Sequence, residues 1–455
     1  MIQSSDLTID FGCLYFQIAI LMVIIVREIA RPSQRNIFAI LISGGFLILV
    51  SGQALWMFSK FSDNGTDEIL HLLQPISLRG AQLANYFASI AVICYGIIYR
   101  VRDKRRVVDY ANLAVRYHRL QPSYLSYLFL YGWVIAMAIG VIVLAGGVIE
   151  TIVAPGLNFS YGVTMFLIFI SIGKFPLLQK LASNKEILLF DVWLFLVALL
   201  ITLFNSRILV GMMLLQLVVI FNYCHREISR RALLMIPTIL FLVFIVFGLY
   251  REYASLSVDA IDPEALLYFT IDYADVSTLL DWFYGANVEG FAGLAGIVTY
   301  DASVGGIVHD LGLSNLSFLT QFIPGVWRND PTLPFKTISD ALASMYPYEG
   351  SIVRPGLEIA YANYGVLGII AFGSLLGYLT QFLHSAMTQA NCDRLRMGVI
   401  SVQSLRAIRG TFAHVIYFGL SDLIMLSLYR FLLKISQGAV VNQTATRVSH
   451  ENTDR

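Results

Sequence analysis

The sequence predicts an all-α polytopic integral membrane protein of about eleven transmembrane helices carrying one large extracytoplasmic loop. Three observations carry that expectation. The chain has 455 residues, of which 57% are hydrophobic and only 13% charged. Its apolar residues fall in runs of about twenty, the length that crosses a bilayer, rather than in amphipathic alternation. Finally, the charges gather in the segments between the runs.

In order, the expected spans are residues 9–26, 37–58, 80–99, 124–147, 161–176, 187–204, 208–224, 233–250, 357–383, 408–420 and 423–437. The run at 408–420 is short and polar and has the look of a broken helix. The first run follows Met-Ile-Gln-Ser-Ser-Asp-Leu-Thr-Ile-Asp, which has no basic leader, and is read as a retained span. Six segments, beginning at Arg27, Arg100, Lys174, Arg226, Arg394 and Arg430, hold 24 of the 31 Lys and Arg residues. By the positive-inside rule these are cytoplasmic, which puts the N-terminus outside and the C-terminus inside. The net charge of +1 carries no further information, and nothing in the pattern suggests a nucleic-acid partner. Cys13, Cys94, Cys224 and Cys392 show neither disulfide nor zinc spacing.

The domain organisation follows: a first transmembrane bundle over 1–251, an extracytoplasmic loop over 252–353, a second bundle over 354–437 and a polar cytoplasmic tail over 438–455, expected to be disordered. The loop has 13 of the 30 acidic residues, fifteen aromatics and only two cations, Arg328 and Lys336. Aromatic faces set among carboxylates and amides suit sugars, whose C–H faces stack on rings while hydroxyls need acceptors. A subdomain also needs an aromatic core and a solvated acidic surface, which explains the same composition. The run Phe322-Ile-Pro-Gly-Val-Trp-Arg-Asn-Asp-Pro-Thr-Leu-Pro-Phe-Lys336 reads as an ordered loop.

The loop meets the membrane at Arg354-Pro-Gly-Leu-Glu-Ile-Ala-Tyr-Ala-Asn-Tyr-Gly-Val-Leu-Gly368. Pro355 suits a first helical turn, so the ninth span starts there. Glu358, Tyr361 and Gly365 share one helical face at i, i+3 and i+7, an unusual face to present to lipid. Glu358 is the best acid–base candidate, although an acid in a first turn is also a plain helix cap. His309 is the rival base.

Arg207 between the sixth and seventh spans, Arg251 at the end of the eighth and Arg354 at the start of the ninth converge on the outer face, with Lys336 in the loop. One such arginine snorkels to head groups; three on one face match a membrane-borne diphosphate, because guanidinium forks bind phosphate oxygens bidentately. Asp422, between the last two spans, is an acid on the same face. Asp63-Asn-Gly-Thr-Asp-Glu68 is read as a solvated turn rather than a metal site, and Gly373-x-x-x-Gly377 as a helix-contact motif. No phosphate loop, zinc motif or Ser/His/Asp arrangement is found.

Ser206-Arg207 in an outer hairpin, Phe322-Ile-Pro324 in a late outer loop and Leu357-Glu-x-x-Tyr-x-Asn-Tyr-Gly-x-x-Gly368 at re-entry together resemble the Wzy-type bacterial polysaccharide polymerases, relatives of the O-antigen ligases. Relatives often carry an Arg with an Asp in the last outer hairpin, where this chain has Asp422. The resemblance implies a GT-C-like glycosyltransferase fold and joining of polyprenyl-diphosphate-linked oligosaccharide units, donor and acceptor, at the outer face of the bacterial inner membrane. It implies no metal, nucleotide or other cofactor, and as partners a chain-length regulator and a flippase. In that scheme Glu358 or His309 takes the acceptor proton. Arg207, Arg251, Arg354 and Lys336 hold the diphosphate, while Tyr361, Asn363, Trp327, Arg328 and Asp422 touch sugar. An O-antigen ligase, delivering the glycan to lipid A core, and a multi-span transporter are the alternatives.

Overall fold

The computed structural model describes residues 10–31, 35–64, 66, 68–71, 74–102, 215, 218–219, 222–223, 227–235, 275–285, 290–304, 356–389, 396–398, 401, 408, 419–420, 423–424, 426–432 and 434–435. Four helical stretches among them are long and apolar enough to cross a membrane: Phe11–Ala30, Ile37–Asp63, Leu78–Val101 and Gly356–Thr388. They correspond to the expected spans 9–26, 37–58, 80–99 and 357–383. The other expected spans lie wholly or partly outside the described residues.

Local chemistry sets the starts. The Asp10 carboxylate accepts from Gly12 N (2.8 Å) and opens α1 (Phe11–Ala30). Asn36 Oδ1 accepts from Ala39 N (3.1 Å) and opens α2 (Ile37–Phe46). Ser77 Oγ accepts from Gly80 N (3.0 Å) and opens α4 (Leu78–Val101). Each cap satisfies an N–H that the first turn leaves without an intrahelical partner.

The second span is not uniform. After α2 the chain runs as a π-helix over Leu47–Gly52 and resumes as α3 (Gln53–Asn64), so the helix extends six residues beyond the expected end at 58. Asp63 and Asn64, read as part of a solvated turn, close that helix. Glu68–His71 (β1) then pairs antiparallel with Gln74–Ser77 (β2), Glu68 opposite Ser77, a small sheet that the all-α expectation did not include.

Two further helices come from the 252–353 segment: α5 (Val276–Gly285) and α6 (Phe291–Val304). They form a hairpin that enters the bundle. Asp281 near the middle of α5 meets Trp56 and Lys60 toward the C-terminal end of α3. Gly290, just before α6, lies against the π-helix: its φ is +108°, and a Cβ there would sit 2.0 Å from the Leu49 carbonyl oxygen. Leu49 is about halfway along Ile37–Asp63, so Gly290 lies at half the depth of the span. From there α6 climbs back to Ser77, with Phe291, Ala292, Leu294 and Ala295 fully buried. Non-helical backbone at such depth requires protein around it to satisfy its polar groups. Gln53 serves the end of α5 and the start of α6, accepting from Ala292 N (2.9 Å) and donating to Tyr284 O (3.4 Å).

The last long helix is α7 (Gly356–Thr388). It runs parallel to α4, because Gly373 sits on Ala91, Gly377 on Tyr95, and Gln381 donates to Tyr99 O (3.0 Å). A Cβ on Gly373 would fall 2.2 Å from Ala91 O, and one on Gly377 would fall 2.7 Å from Tyr95 O. The small-residue pair therefore lets two backbones touch, which is how helices associate where lipid supplies no hydrophobic drive. Helix α1 is parallel to α4 as well. Gln17 bonds Asn85 (2.7 Å) and Ser89 (2.8 Å), and eleven residues later the Tyr99 hydroxyl donates to Glu28.

These directions decide which charges share an end. Arg27, Arg31 and Arg35 gather with Arg100, Arg102 and Arg230, whose guanidinium reaches Ala30 O (2.9 Å). Glu28, fully buried there, accepts from Arg31 (3.0 Å) and from Asn36 N (2.8 Å) besides Tyr99, so its charge is matched. The opposite end carries Asp10, Asp63, Asp275, Asp281, Asp301 and Glu358, with Lys60 and Arg79.

Candidate functional site

At the acidic end the N-terminal turns of α7 meet the last turn of α6 and the start of α4. Glu358 is 4% exposed and Asn363 1%, and Gly356, Leu357, Ile359, Ala362 and Gly365 are buried too. This helix end is thus enclosed on nearly every side, whereas farther along Leu367 is 74% exposed. Tyr361 stacks on Phe87 (ring centroids 5.2 Å apart) and donates its hydroxyl hydrogen to Asp301 Oδ2 at 2.6 Å. Two turns of α4 and α6 are held beside them by Thr299 Oγ1, which accepts from Ser77 N (3.2 Å). A Cβ on Gly80 would strike that Thr299 oxygen, so glycine admits α6 to the helix start.

The span itself is broken. Gly365 has φ +58° and ψ −141°, a backbone state that side-chain-bearing residues avoid, and it divides α7 after its first nine residues. The chain then turns so tightly that a Cβ on Gly368 would lie 1.8 Å from the Ala360 carbonyl oxygen. Both glycines of the Tyr-x-Asn-Tyr-Gly-x-x-Gly stretch are therefore accounted for by backbone geometry. Gly365 is a hinge point in the helix and not simply a gap on its face.

Chemically the site offers a buried carboxylate in a first helical turn and a second carboxylate already paired with a phenol. Tyr361 donates to one oxygen of Asp301, and carboxylate oxygens are the acceptors that sugar hydroxyls need. Glu358 lies in the first turn of α7, where an acid also acts as a helix cap. At the same end of the bundle, α5 adds a charged pair: Lys60 Nζ and Trp56 Nε1 each donate to an Asp281 oxygen at 2.7 Å. Burial pushes the Asp281 carboxyl up, but the hydrogen bonds from Lys60 and Trp56 and the charge of Lys60 outweigh it, and its pKa is lowered. Asp275, fully exposed, is also lowered, by the Ser277 hydroxyl and Thr278 N–H.

Of the residues expected to act, Glu358, Tyr361 and Asn363 are all buried in the first turns of α7. Arg207, Arg251, Arg354, Lys336, His309, Trp327, Arg328 and Asp422 lie outside the described residues. The chain matches no family model, no curated protein and no solved structure. Asp301 is the member that sequence reasoning missed. It was one of thirteen acids in a segment read only by composition, and its partner lies sixty residues away. Among the described residues no group of three or more His, Cys, Asp or Glu side chains is placed to hold a metal ion.

Proposed function

We propose that this membrane protein is a glycosyltransferase that joins polyprenyl-diphosphate-linked oligosaccharide repeat units into a surface polysaccharide, working at the outer face of a bacterial inner membrane. The observation that carries the proposal is the buried Glu358 carboxylate beside the Asp301–Tyr361 pair, at the end of the bundle away from the arginine cluster. In this reading the fold is GT-C-like with about eleven spans. The growing glycan leaves its lipid diphosphate and bonds to a hydroxyl of the incoming unit; Glu358 takes that hydroxyl's proton as the C–O bond forms and the diphosphate departs with its electron pair. Asp301 and the Tyr361 hydroxyl oxygen accept hydrogen bonds from sugar hydroxyls. Arg207, Arg251, Arg354 and Lys336 neutralise the departing diphosphate, whose charge rises in the transition state.

A second reading, transport of a solute, draws on the helix break at Gly365 and on the non-helical Gly290 at half the depth of the second span. Discontinuous helices and re-entrant segments are common where solutes bind inside membranes.

One reconstitution separates the two. Purified protein in liposomes, given synthetic lipid-linked repeat units with no metal or nucleotide, is expected to build a ladder of longer lipid-linked chains. Transfer only to a lipid A core acceptor assigns a ligase. An absent ladder, with solute flux driven by ATP or an ion gradient, overturns the glycosyltransferase reading.

A further inference from the structure

Helices α1 and α4 leave a groove of about 800 Å³ between them on the outside of the bundle. Its walls are apolar: Phe16, Val23 and Ile97 are 53%, 65% and 55% exposed, and Gly96 sits at its floor against Ile20. One end is different. There Arg27 and Arg100, both exposed, flank the groove, and the Arg27 guanidinium lies 5.9 Å from the centre of the Tyr99 ring. From Phe16 to Arg27 the α1 wall rises about 16 Å at ~1.5 Å per residue. That is close to the ~15 Å depth of one leaflet, half of a hydrocarbon core.

We propose that this groove is a binding site for an anionic phospholipid, with one acyl chain along the apolar wall and the headgroup phosphate between Arg27 and Arg100. Length and charge point the same way. An acyl chain starting at the arginines ends near the mid-plane, where the apolar wall ends. Two guanidinium groups prefer a headgroup with net negative charge over a zwitterionic one, whose own cation they repel. Each arginine also sits in the last turn of its helix, where a cation complements the dipole. Dipole complement and snorkelling alone, however, give no preference among lipid headgroups. The inference stands apart from the sugar chemistry proposed above, because the groove opens at the arginine end of the bundle and Glu358 lies at the other.

The test is native mass spectrometry of the full chain, released from mixed micelles of phosphatidylglycerol and phosphatidylcholine with matched acyl chains. Phosphatidylglycerol is expected to be retained roughly tenfold or more over phosphatidylcholine. Arg27→Gln with Arg100→Gln brings the ratio to about one, whereas Lys at both positions keeps a preference. Ala19→Trp, which fills the groove wall and leaves both arginines, lowers retention of phosphatidylglycerol. Equal retention of the two lipids by the native chain overturns the proposal, as does an undiminished preference in the double Gln variant. If the double Gln variant does not survive purification, Ala19→Trp decides: native-level retention in that variant places the lipid elsewhere and overturns the site.

Discussion

Tyr361 on α7 and Asp301 on α6 are joined by a 2.6 Å hydrogen bond, so the re-entry helix is tied by side chains to the hairpin that dips into the bundle. The phenol's ring is fixed separately, by its stack on Phe87. Removing the hydroxyl therefore tests the bond without opening a cavity. Tyr361→Phe is expected to lower stability by about 1–3 kcal/mol, because Asp301 loses a donor in a partly buried place. Asp301→Asn keeps an acceptor for Tyr361 and is expected to unfold near the native temperature, yet to extend glycans at least tenfold more slowly. Thermal unfolding in detergent and the reconstituted extension assay read the two effects apart. Native-rate extension by Asp301→Asn makes the pair a structural tie only.

Glu358→Gln has the shape of the native side chain and cannot accept a proton. Under the proposed chemistry the extension rate falls by roughly a hundredfold or more, the usual contribution of a general base. Binding of the lipid-linked donor is expected to stay as it was. A weaker donor affinity with an unchanged maximal rate assigns Glu358 to binding instead.

Three glycine substitutions grade the backbone argument. Gly365→Ala forces a side chain into φ +58°, ψ −141°, expected to cost about 1–3 kcal/mol or to straighten α7. Gly373→Ala drives a Cβ toward the Ala91 carbonyl oxygen and separates α4 from α7, and it is expected to lower the unfolding temperature further. Gly44→Ala is the control: nothing lies within 4 Å of the added carbon, so helix propensity alone acts and stability is unchanged or raised by up to about 1 kcal/mol. A Gly365→Ala protein as stable and active as the native one removes the break from the mechanism.

The Lys60–Asp281 pair makes a pH prediction. Asp281 has a lowered folded pKa, so the unfolded state holds its proton more tightly. The stabilisation it brings is complete above the ordinary carboxylate value near 3.8 and is lost as the pH falls through the lower folded value. Lys60 is 32% and Asp281 44% exposed, which with solvent screening limits the effect to about 1 kcal/mol or less. Asp281→Asn is expected to reduce stability at neutral pH by that amount and to match the native protein near pH 2. Hydrogen exchange of the α5 amides across that range checks it, and a native–variant gap that widens in acid contradicts the pairing.

Sidedness can be read by labelling. Single cysteines at Asp275 and Ser229, exposed at opposite ends of the bundle, are expected to react from outside and from inside respectively with an impermeant maleimide. The reverse pattern inverts the topology and removes the outer-face chemistry.

Runs of apolar residues marked out, from sequence alone, four helices long and apolar enough to cross a membrane, because the length of such a run is set by bilayer thickness and needs no tertiary information. The Gly373/Gly377 pair was legible for a related reason: close approach of helices in lipid demands small residues at fixed spacing. Glu358 and Tyr361 were picked out because an acid and a phenol on one face of an apolar helix are costly unless enclosed, and they are enclosed. Only the tertiary structure decided what encloses them. Asp301, Gln53 and the depth of the Gly290 turn depend on contacts sixty to more than two hundred residues apart in sequence, which no local period records. The break at Gly365 is of the same kind. A glycine inside an apolar run reads as helix, and its left-handed backbone state becomes evident only where Gly368 meets the carbonyl of Ala360.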